Sequence, residues 1–176
     1  MFKDFKPVLG ILIRFFAIYL VMILLYQLFL NHYQSRLVDP ITEFTAFGVH
    51  RFQQWLGYNS QLQDLAGWHS ILFILNGKST TRIVEGCNAV SIMILFVAFI
   101  LAFYKGAKTF VFVALALIFL IIINIIRIAG LNILYLHWPQ YSKIGHDYVF
   151  PAIIYGSIVV FWLIWIKKFV LRNEKS

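Results

Sequence analysis

Long apolar stretches separated by short polar segments make up most of this chain. Four of them, at about residues 10–30, 88–104, 109–131 and 148–166, are rich in Ile, Leu, Phe and Val. A membrane-spanning helix requires roughly 20 predominantly apolar residues. The pattern therefore predicts an all-α integral membrane protein with about four transmembrane helices, of which the second is short. We expect residues 1–176 to form a single membrane-embedded domain.

Residues 31–86 differ from the rest of the chain because polar and apolar side chains are mixed there. Apolar residues recur at helical spacing from Ile41 to Leu56, which predicts an amphipathic helix. Such a helix can lie in the outer membrane interface or pack on the helical bundle. The pattern leaves both arrangements open.

A short β-hairpin is predicted immediately before the second span. Two β-prone runs, residues 69–75 and 78–84, flank the pair Asn76-Gly77. An Asn-Gly pair accepts the positive φ angles of a two-residue type I′ turn. The second run leads into Glu85-Gly86-Cys87, so we expect the hairpin to position the thiol of Cys87.

Composition and charge indicate a lipid environment. Charged residues make up 12% of the chain, about half the share found in an average soluble domain. The formal net charge is +8, and many of the basic residues lie just outside the spans on one side: Lys3, Lys6, Lys105, Lys108, Lys167, Lys168, Arg172 and Lys175. The positive-inside rule makes that side cytoplasmic, so residues 31–86 and 132–147 face outward. No nucleic-acid partner is expected, because the basic residues set topology and form no soluble patch.

Three polar residues stand at the predicted outer ends of spans, namely Cys87, Arg127 and His146. A thiolate is a nucleophile, and a helix N-terminus with nearby cations favours its formation. An arginine can stabilise an oxyanion, and a histidine near neutral pH can accept and return a proton. Together the three groups have the chemistry of a cysteine acyl-transfer enzyme.

Each of these residues also has a purely structural interpretation. A lone cysteine is usually a small buried hydrophobe, an arginine near a span end can snorkel to the interface, and His146 can be a solvated loop residue. His137 is the nearest rival of His146. The shared depth of the three groups favours the functional interpretation.

Neighbouring residues are candidates for supporting or substrate-binding roles: Glu85, Gly86, Asn88, Asn124 and Asp147. Asn88 or Ser91 can cap the first turn of the next helix, and Asn124 shares a helix face with Arg127 three residues later. Adjacent side chains on a helix diverge, so sequence alone does not make Asp147 the orienting partner of His146. No metal site is expected, because one cysteine with scattered histidines lacks ligand spacing.

These motifs resemble the exosortase/archaeosortase family, most closely the compact exosortase subtype F. The resemblance covers roughly residues 80–165 and rests on Glu-Gly-Cys-Asn-Ala at 85–89, Asn-x-x-Arg-Ile at 124–128 and His-Asp at 146–147. It maps the family's Cys, Arg and His onto Cys87, Arg127 and His146. The chain departs from the family in having fewer spans than many members and in placing Ala89 where a glycine is common.

The resemblance implies a multi-pass cysteine transpeptidase or protease in the bacterial cytoplasmic (inner) membrane, with its active site on the extracytoplasmic face and no cofactor. The implied partners are the lipid bilayer, an unidentified acceptor molecule, and secreted proteins whose C-terminal sorting signal comprises a motif, a hydrophobic span and a basic tail. The small number of spans leaves room for an oligomer or accessory partner to complete the substrate groove.

A non-enzymatic membrane assembly subunit or a small transporter is the alternative. A transporter would place polar residues near mid-bilayer, whereas the middles of these spans are almost purely apolar. An assembly subunit would tolerate loss of the Cys87 thiol, and a transpeptidase would not.

Overall fold

The computed structural model describes residues 6–33, 38–65 and 69–171. Helix α1 (Lys6–His32) is followed by α2 (Pro40–Trp55), by strands β1 (Ser60–Leu65), β2 (Ser70–Leu75) and β3 (Lys78–Ile83), and by helices α3 (Val90–Ala102) and α4 (Ala107–His137). The last helical stretch contains a 3₁₀ turn (Pro139–Tyr141), α5 (Ser142–Ile144), a π-helical turn (Gly145–Val149), α6 (Phe150–Trp165) and a second π-helical turn (Ile166–Val170).

Within the described residues, three helical stretches are long and apolar enough to cross a membrane: Val8–His32, Ala107–His137 and Pro139–Val170. The predicted second span corresponds to α3, which has only 13 residues. At 1.5 Å per residue such a helix extends about 20 Å, less than the hydrocarbon core of about 30 Å. The chain is therefore a mostly helical membrane protein, and crossing of the membrane by α3 stays a prediction.

Two helical stretches extend beyond the predicted spans. Helix α4 continues past residue 131 to His137, and the last helical stretch already begins at Pro139 instead of at residue 148. The apolar pattern marks where side chains suit lipid. Backbone hydrogen bonding continues the helix beyond that limit, through residues that include Tyr135 and His137.

The predicted hairpin is confirmed as strands β2 and β3. Its turn residues Asn76 and Gly77 have φ angles of 50° and 77°, as a type I′ turn requires. The prediction of an all-α fold with a lone hairpin is wrong in one respect, because β1 pairs antiparallel with β2 to complete a sheet of order β1-β2-β3. The polar sequence Ser-Gln-Leu-Gln-Asp-Leu concealed β1.

The sheet packs on α2 and α4 through one apolar cluster. Its buried members are Ala46, Val49, Ile71, Phe73, Leu75, Ile83, Ile128 and Ala129. Gly48 of α2 lies so close to α4 that an added Cβ would come within 2.7 Å of Ile125 Cδ1. The amphipathic helix therefore packs on the bundle. Its opposite face exposes Phe44, Phe47 and Trp55, and contact of these side chains with lipid stays a prediction.

A second apolar cluster, which includes several packed aromatic rings, joins α3, α4 and α6. Its buried members are Phe96, Ile100, Ala116, Leu120, Ile158 and Trp165. The rings of Phe112 and Trp165 lie 5.0 Å apart, and those of Phe99 and Trp162 lie 4.5 Å apart. Such ring pairs contribute about 0.5–1.5 kcal/mol beyond their buried area. This cluster fixes α3 against the two long helices and so fixes the loop that precedes α3.

His50 lies where α2 meets the sheet. Its Nδ1 is 3.1 Å from Ser60 Oγ, and the Ser60 hydroxyl donates to Gln53 Oε1 at 2.9 Å. The hydroxyl hydrogen is thus used, so Nδ1 of His50 is the donor in this contact. Burial, with a smaller contribution from Arg51, lowers the pKa of His50 from its ordinary value of 6.5.

This lowered pKa predicts a pH dependence of stability. The unfolded chain binds the proton more readily than the folded one, so stability is complete above about 6.5 and declines as pH falls below it. His50→Asn keeps a donor near the Nδ1 position and should remove part of the decline. Thermal unfolding midpoints from about pH 5 to 8 measure it. Equal pH dependence in both proteins would contradict the assignment.

Candidate active site

Cys87 lies in a β-turn that links β3 to α3. Its amide donates to the carbonyl of Val84 at 3.1 Å, and Gly86 adopts a φ of 65°. An added Cβ on Gly86 would meet nothing within 4 Å, so backbone conformation and not space requires glycine there. Helix α3 begins only at Val90, so Cys87 lies three residues before the helix and not directly at the start of the span. Cys87 is half-buried.

Asn88 holds the start of α3 from one residue before the N-cap position, which Ala89 occupies. Its Oδ1 accepts from the amide of Val90 at 3.0 Å. The residue between them, Ala89, has φ 62° and ψ 12°. This left-handed conformation costs a non-glycine residue about 1–2 kcal/mol, which gives a physical reason why a glycine suits this position.

Asn124 on α4 connects the nucleophile to the arginine. Its Nδ2 donates to the carbonyl oxygen of Cys87 at 3.0 Å, and its Oδ1 accepts from a terminal nitrogen of Arg127 at 3.1 Å. Asn124 is fully buried. Among the described residues the buried Nε of Arg127 has no hydrogen-bond partner. The guanidinium is thus fixed on one side and has donor capacity left.

Arg127 is not at a helix end. The prediction placed it at the outer limit of the third span, whereas α4 continues from Arg127 to His137. The residues that extend the helix include Leu131 and Tyr135, which follow Arg127 at intervals of four and share its face. Arg127 therefore lies on the side of α4 and faces the sheet and the last helical stretch.

His146 lies in the π-helical turn Gly145–Val149. Its Nδ1 is 2.8 Å from Oδ1 of Asp147, and the two side chains are 60% and 41% exposed. The expectation that neighbouring side chains diverge does not hold for this pair. With the carboxylate as acceptor, neutral His146 carries its hydrogen on Nδ1, which leaves Nε2 free to accept a proton. Gly145 permits close approach to α4, because an added Cβ would come within 2.5 Å of Leu134 Cδ2.

One cavity of about 350 Å³ brings the three predicted residues together. Its lining residues are Thr81, Arg82, Ile83, Cys87, Arg127, Ile128, Leu131, Tyr135, Ser142, Lys143, His146 and Asp147. One wall is β3, the floor is α4, and the opposite wall is formed by residues 142–147. Asn88 and Asn124 contact the backbone around Cys87 and lie outside this lining. Glu85 and Gly86 belong to the β-turn that carries Cys87 and are not lining residues either. His137 instead contacts the hydroxyl of Tyr58 at 3.2 Å.

Sequence reasoning missed several lining residues. Leu131 and Tyr135 could have been found from their four-residue spacing after Arg127. The sequence gave no signal for Thr81, Arg82, Ser142 and Lys143, because their approach to Cys87 depends on how the sheet and the last helical stretch pack.

The lining of the cavity contains more positive than negative side chains. Its cations are Arg82, Arg127 and Lys143, and its one carboxylate is Asp147. The lining therefore carries an excess of positive charge, which would stabilise an oxyanion that forms there.

No metal-binding arrangement accompanies this cavity. In the part of the chain that the structure describes, no three side chains of His, Cys, Asp or Glu lie close enough together to hold a metal ion. The groups that line the cavity and can take part in chemistry are a thiol, two guanidinium groups, an imidazole with its carboxylate, an ammonium group and three hydroxyls.

The fold and this cavity define a helical membrane protein in which a thiol, a guanidinium and an imidazole share one site. Residues 6–170 match the family model described as transmembrane exosortase, and the chain belongs to that family. Searches of curated proteins and of solved structures found no match. Assignment to subtype F stays a prediction.

The left-handed conformation of Ala89 predicts that Ala89→Gly stabilises the protein. Relief of about 1–2 kcal/mol of strain exceeds the stability that glycine loses through a more flexible unfolded chain, about 0.5–1 kcal/mol. The thermal midpoint in detergent should rise. Ala98→Gly in the middle of α3 is the matched control and should lower the midpoint, by the equivalent of about 1 kcal/mol. A lowered midpoint for both variants would refute the strain argument.

Proposed function

We propose that this chain is a membrane cysteine transpeptidase that cleaves a C-terminal sorting signal from secreted proteins through a thioester on Cys87. The observation that carries the proposal is that Cys87, Arg127 and His146 line a single cavity. Membership of the transmembrane exosortase family supports the same class of reaction.

The first half-reaction forms the thioester. Nε2 of His146 accepts the proton of the Cys87 thiol, and the thiolate attacks the carbonyl carbon of the scissile peptide bond. The carbonyl oxygen becomes an oxyanion, which the guanidinium of Arg127 stabilises. The C–N bond then breaks, and His146 returns its proton to the departing amine. The products are an acyl-thioester on Cys87 and the released C-terminal fragment.

The second half-reaction transfers the acyl group. A nucleophilic acceptor, or water, attacks the thioester carbonyl while His146 removes the proton of the nucleophile. Collapse of the second tetrahedral intermediate expels the Cys87 thiolate, which regains its proton from His146. Asp147 stabilises the imidazolium that forms in each half-reaction, through its contact with Nδ1 at 2.8 Å.

Arg127 is expected to supply much of the electrostatic stabilisation. Its position is fixed by Asn124, which also binds the carbonyl oxygen of Cys87. One side chain thus sets the distance between nucleophile and oxyanion donor. Loss of a single pre-positioned donor commonly costs about 10²–10³ in kcat.

The substrate class follows from the membrane setting and the family. A substrate with a hydrophobic span beside the helical bundle and a basic tail in the cytoplasm would hold its preceding motif at the level of Cys87. In this proposal the reaction takes place on the extracytoplasmic face of the bacterial inner membrane, and the expected outward orientation of residues 31–86 under the positive-inside rule supports that face. The proposal includes an acceptor molecule that receives the acyl group, and an oligomer or accessory partner that completes the substrate groove.

Cys87→Ser should abolish processing. The hydroxyl of serine is a poor nucleophile in a site that uses a thiol. We expect the rate to fall at least about 10³-fold, which corresponds to an activation free energy higher by about 4 kcal/mol. The measurement is cleavage of a co-expressed secreted protein, from the same genome, that ends in a motif, a hydrophobic span and a basic tail.

A matched control is Ser91→Ala, an exposed position on the first turn of α3, which should retain normal processing. In the wild-type protein, hydroxylamine should release a substrate acyl group from Cys87. Normal cleavage by Cys87→Ser would exclude the transpeptidase and favour a non-enzymatic assembly subunit.

A further inference from the structure

A buried chain of hydrogen bonds reaches the nucleophile turn from the side opposite Asn124. Nδ2 of Asn88 donates to Thr42 Oγ1 and to the hydroxyl oxygen of Tyr26, both at 3.0 Å. The Thr42 hydroxyl in turn donates to Oδ2 of Asp39. The chain joins α1, the first turn of α2 and the residue that follows Cys87.

The carboxylate of Asp39 determines the direction of the hydrogen bonds that run from Asn88 through Thr42 to Asp39. Asp39 is only 1% exposed, and its Oδ1 already accepts from the amides of Ile41 and Thr42 at 3.0 Å. An ionised carboxylate is an acceptor only, so the Thr42 hydroxyl must donate to it. The lone pairs of Thr42 Oγ1 then face Asn88, which must present its NH₂ group.

The orientation of the Asn88 amide follows from this polarity. Because Nδ2 is turned toward Thr42 and Tyr26, Oδ1 is left to accept from the amide of Val90. A flipped amide would set Oδ1 against the lone pairs of Thr42 Oγ1 and would leave the Val90 amide without its acceptor. Leaving a buried donor or acceptor unsatisfied costs about 1–3 kcal/mol.

The chain therefore locks the backbone on the C-terminal side of Cys87. Asn124 holds the carbonyl of Cys87 from α4, while Thr42 and Tyr26 hold Asn88 from α2 and α1. The left-handed conformation of Ala89 is strained, and strained backbone persists only where its surroundings hold it in place. The two sets of contacts provide that restraint.

We propose that Tyr26, Asp39 and Thr42 are positioning residues for the Cys87 thiol, acting through Asn88. None of them lies in the lining of the cavity. The proposal rests on the proposed function for its consequence in catalysis, but the geometry of the thiol can be tested without it. Because the chain has one cysteine, a thiol reagent reports on Cys87 alone.

The test compares Thr42→Val with Thr45→Val in the full-length protein in detergent. Valine matches threonine in shape and removes only the hydroxyl. Thr45 is the matched control, because it is buried one turn later on α2 and donates within its own helix, to the carbonyl of Ile41 at 2.8 Å. Thr42→Ser keeps the hydroxyl and should restore wild-type behaviour.

Two readouts are measured for each variant, the rate at which N-ethylmaleimide alkylates Cys87 and the kinetics of substrate cleavage. We expect Thr42→Val to change the alkylation rate at least about threefold and to lower kcat about 10- to 100-fold with little change in KM, as a small misplacement of a reacting group does. Thr45→Val should change neither readout by more than about twofold. Tyr26→Phe should shift both readouts in the same direction as Thr42→Val. It replaces Thr42→Val in the test if the Thr42→Val protein does not fold.

Equal alkylation rates in Thr42→Val, Tyr26→Phe and Thr45→Val would overturn the positioning role. That outcome is distinguishable from failure of the proposed function. If Cys87→Ser still processed substrate, the transpeptidase would be excluded while the alkylation rates would still decide whether these residues position the thiol.

Discussion

Two buried amides on α4 hold the rest of the site in place. Asn124 donates to the carbonyl of Cys87 and accepts from Arg127, and Asn132 accepts from the Thr81 hydroxyl on β3. Residues eight apart on an α-helix point about 80° away from each other, so Asn124 reaches the nucleophile turn while Asn132 reaches the adjoining sheet. A polar side chain on a membrane helix is unfavourable unless paired, and these pairings make the arrangement specific.

The non-helical backbone of the site depends on the same contacts. In a membrane, irregular backbone is tolerated where it is buried in protein or lines a cavity. The turn that carries Cys87 meets this condition through Asn124 on one side and through Asn88, Thr42 and Tyr26 on the other. The small sheet packs its apolar face on α2 and α4 and contributes a wall of the cavity. Sheet and turn thus form one rigid support.

Much of this architecture follows from local sequence rules, and the remainder depends on packing. The hairpin could be predicted because the Asn76-Gly77 pair suits a type I′ turn, and the long helices could be predicted because a continuous apolar run has few alternatives in lipid. Strand β1 could not be predicted, since four of its six residues are polar and it forms by pairing with β2. The end of α4 was missed because hydropathy does not report where helical hydrogen bonding stops.

The cavity joins residues that are distant from one another in the chain. The three reacting groups could be named from chemistry, but Lys143, Thr81 and the Asp147–His146 contact required coordinates.

The measurement that tests the central claim most directly is a crosslink across the cavity. The His146→Cys protein contains two cysteines, Cys87 and the new one at position 146. A short bifunctional thiol reagent should join their side chains within one molecule. Mass spectrometry of the digest should find the two peptides linked. Lys168→Cys, exposed in the second π-helical turn, should give no such link. If each thiol reacts singly with the reagent but no intramolecular link forms in the His146→Cys protein, then Cys87 and residue 146 do not share a site and the proposed chemistry is excluded.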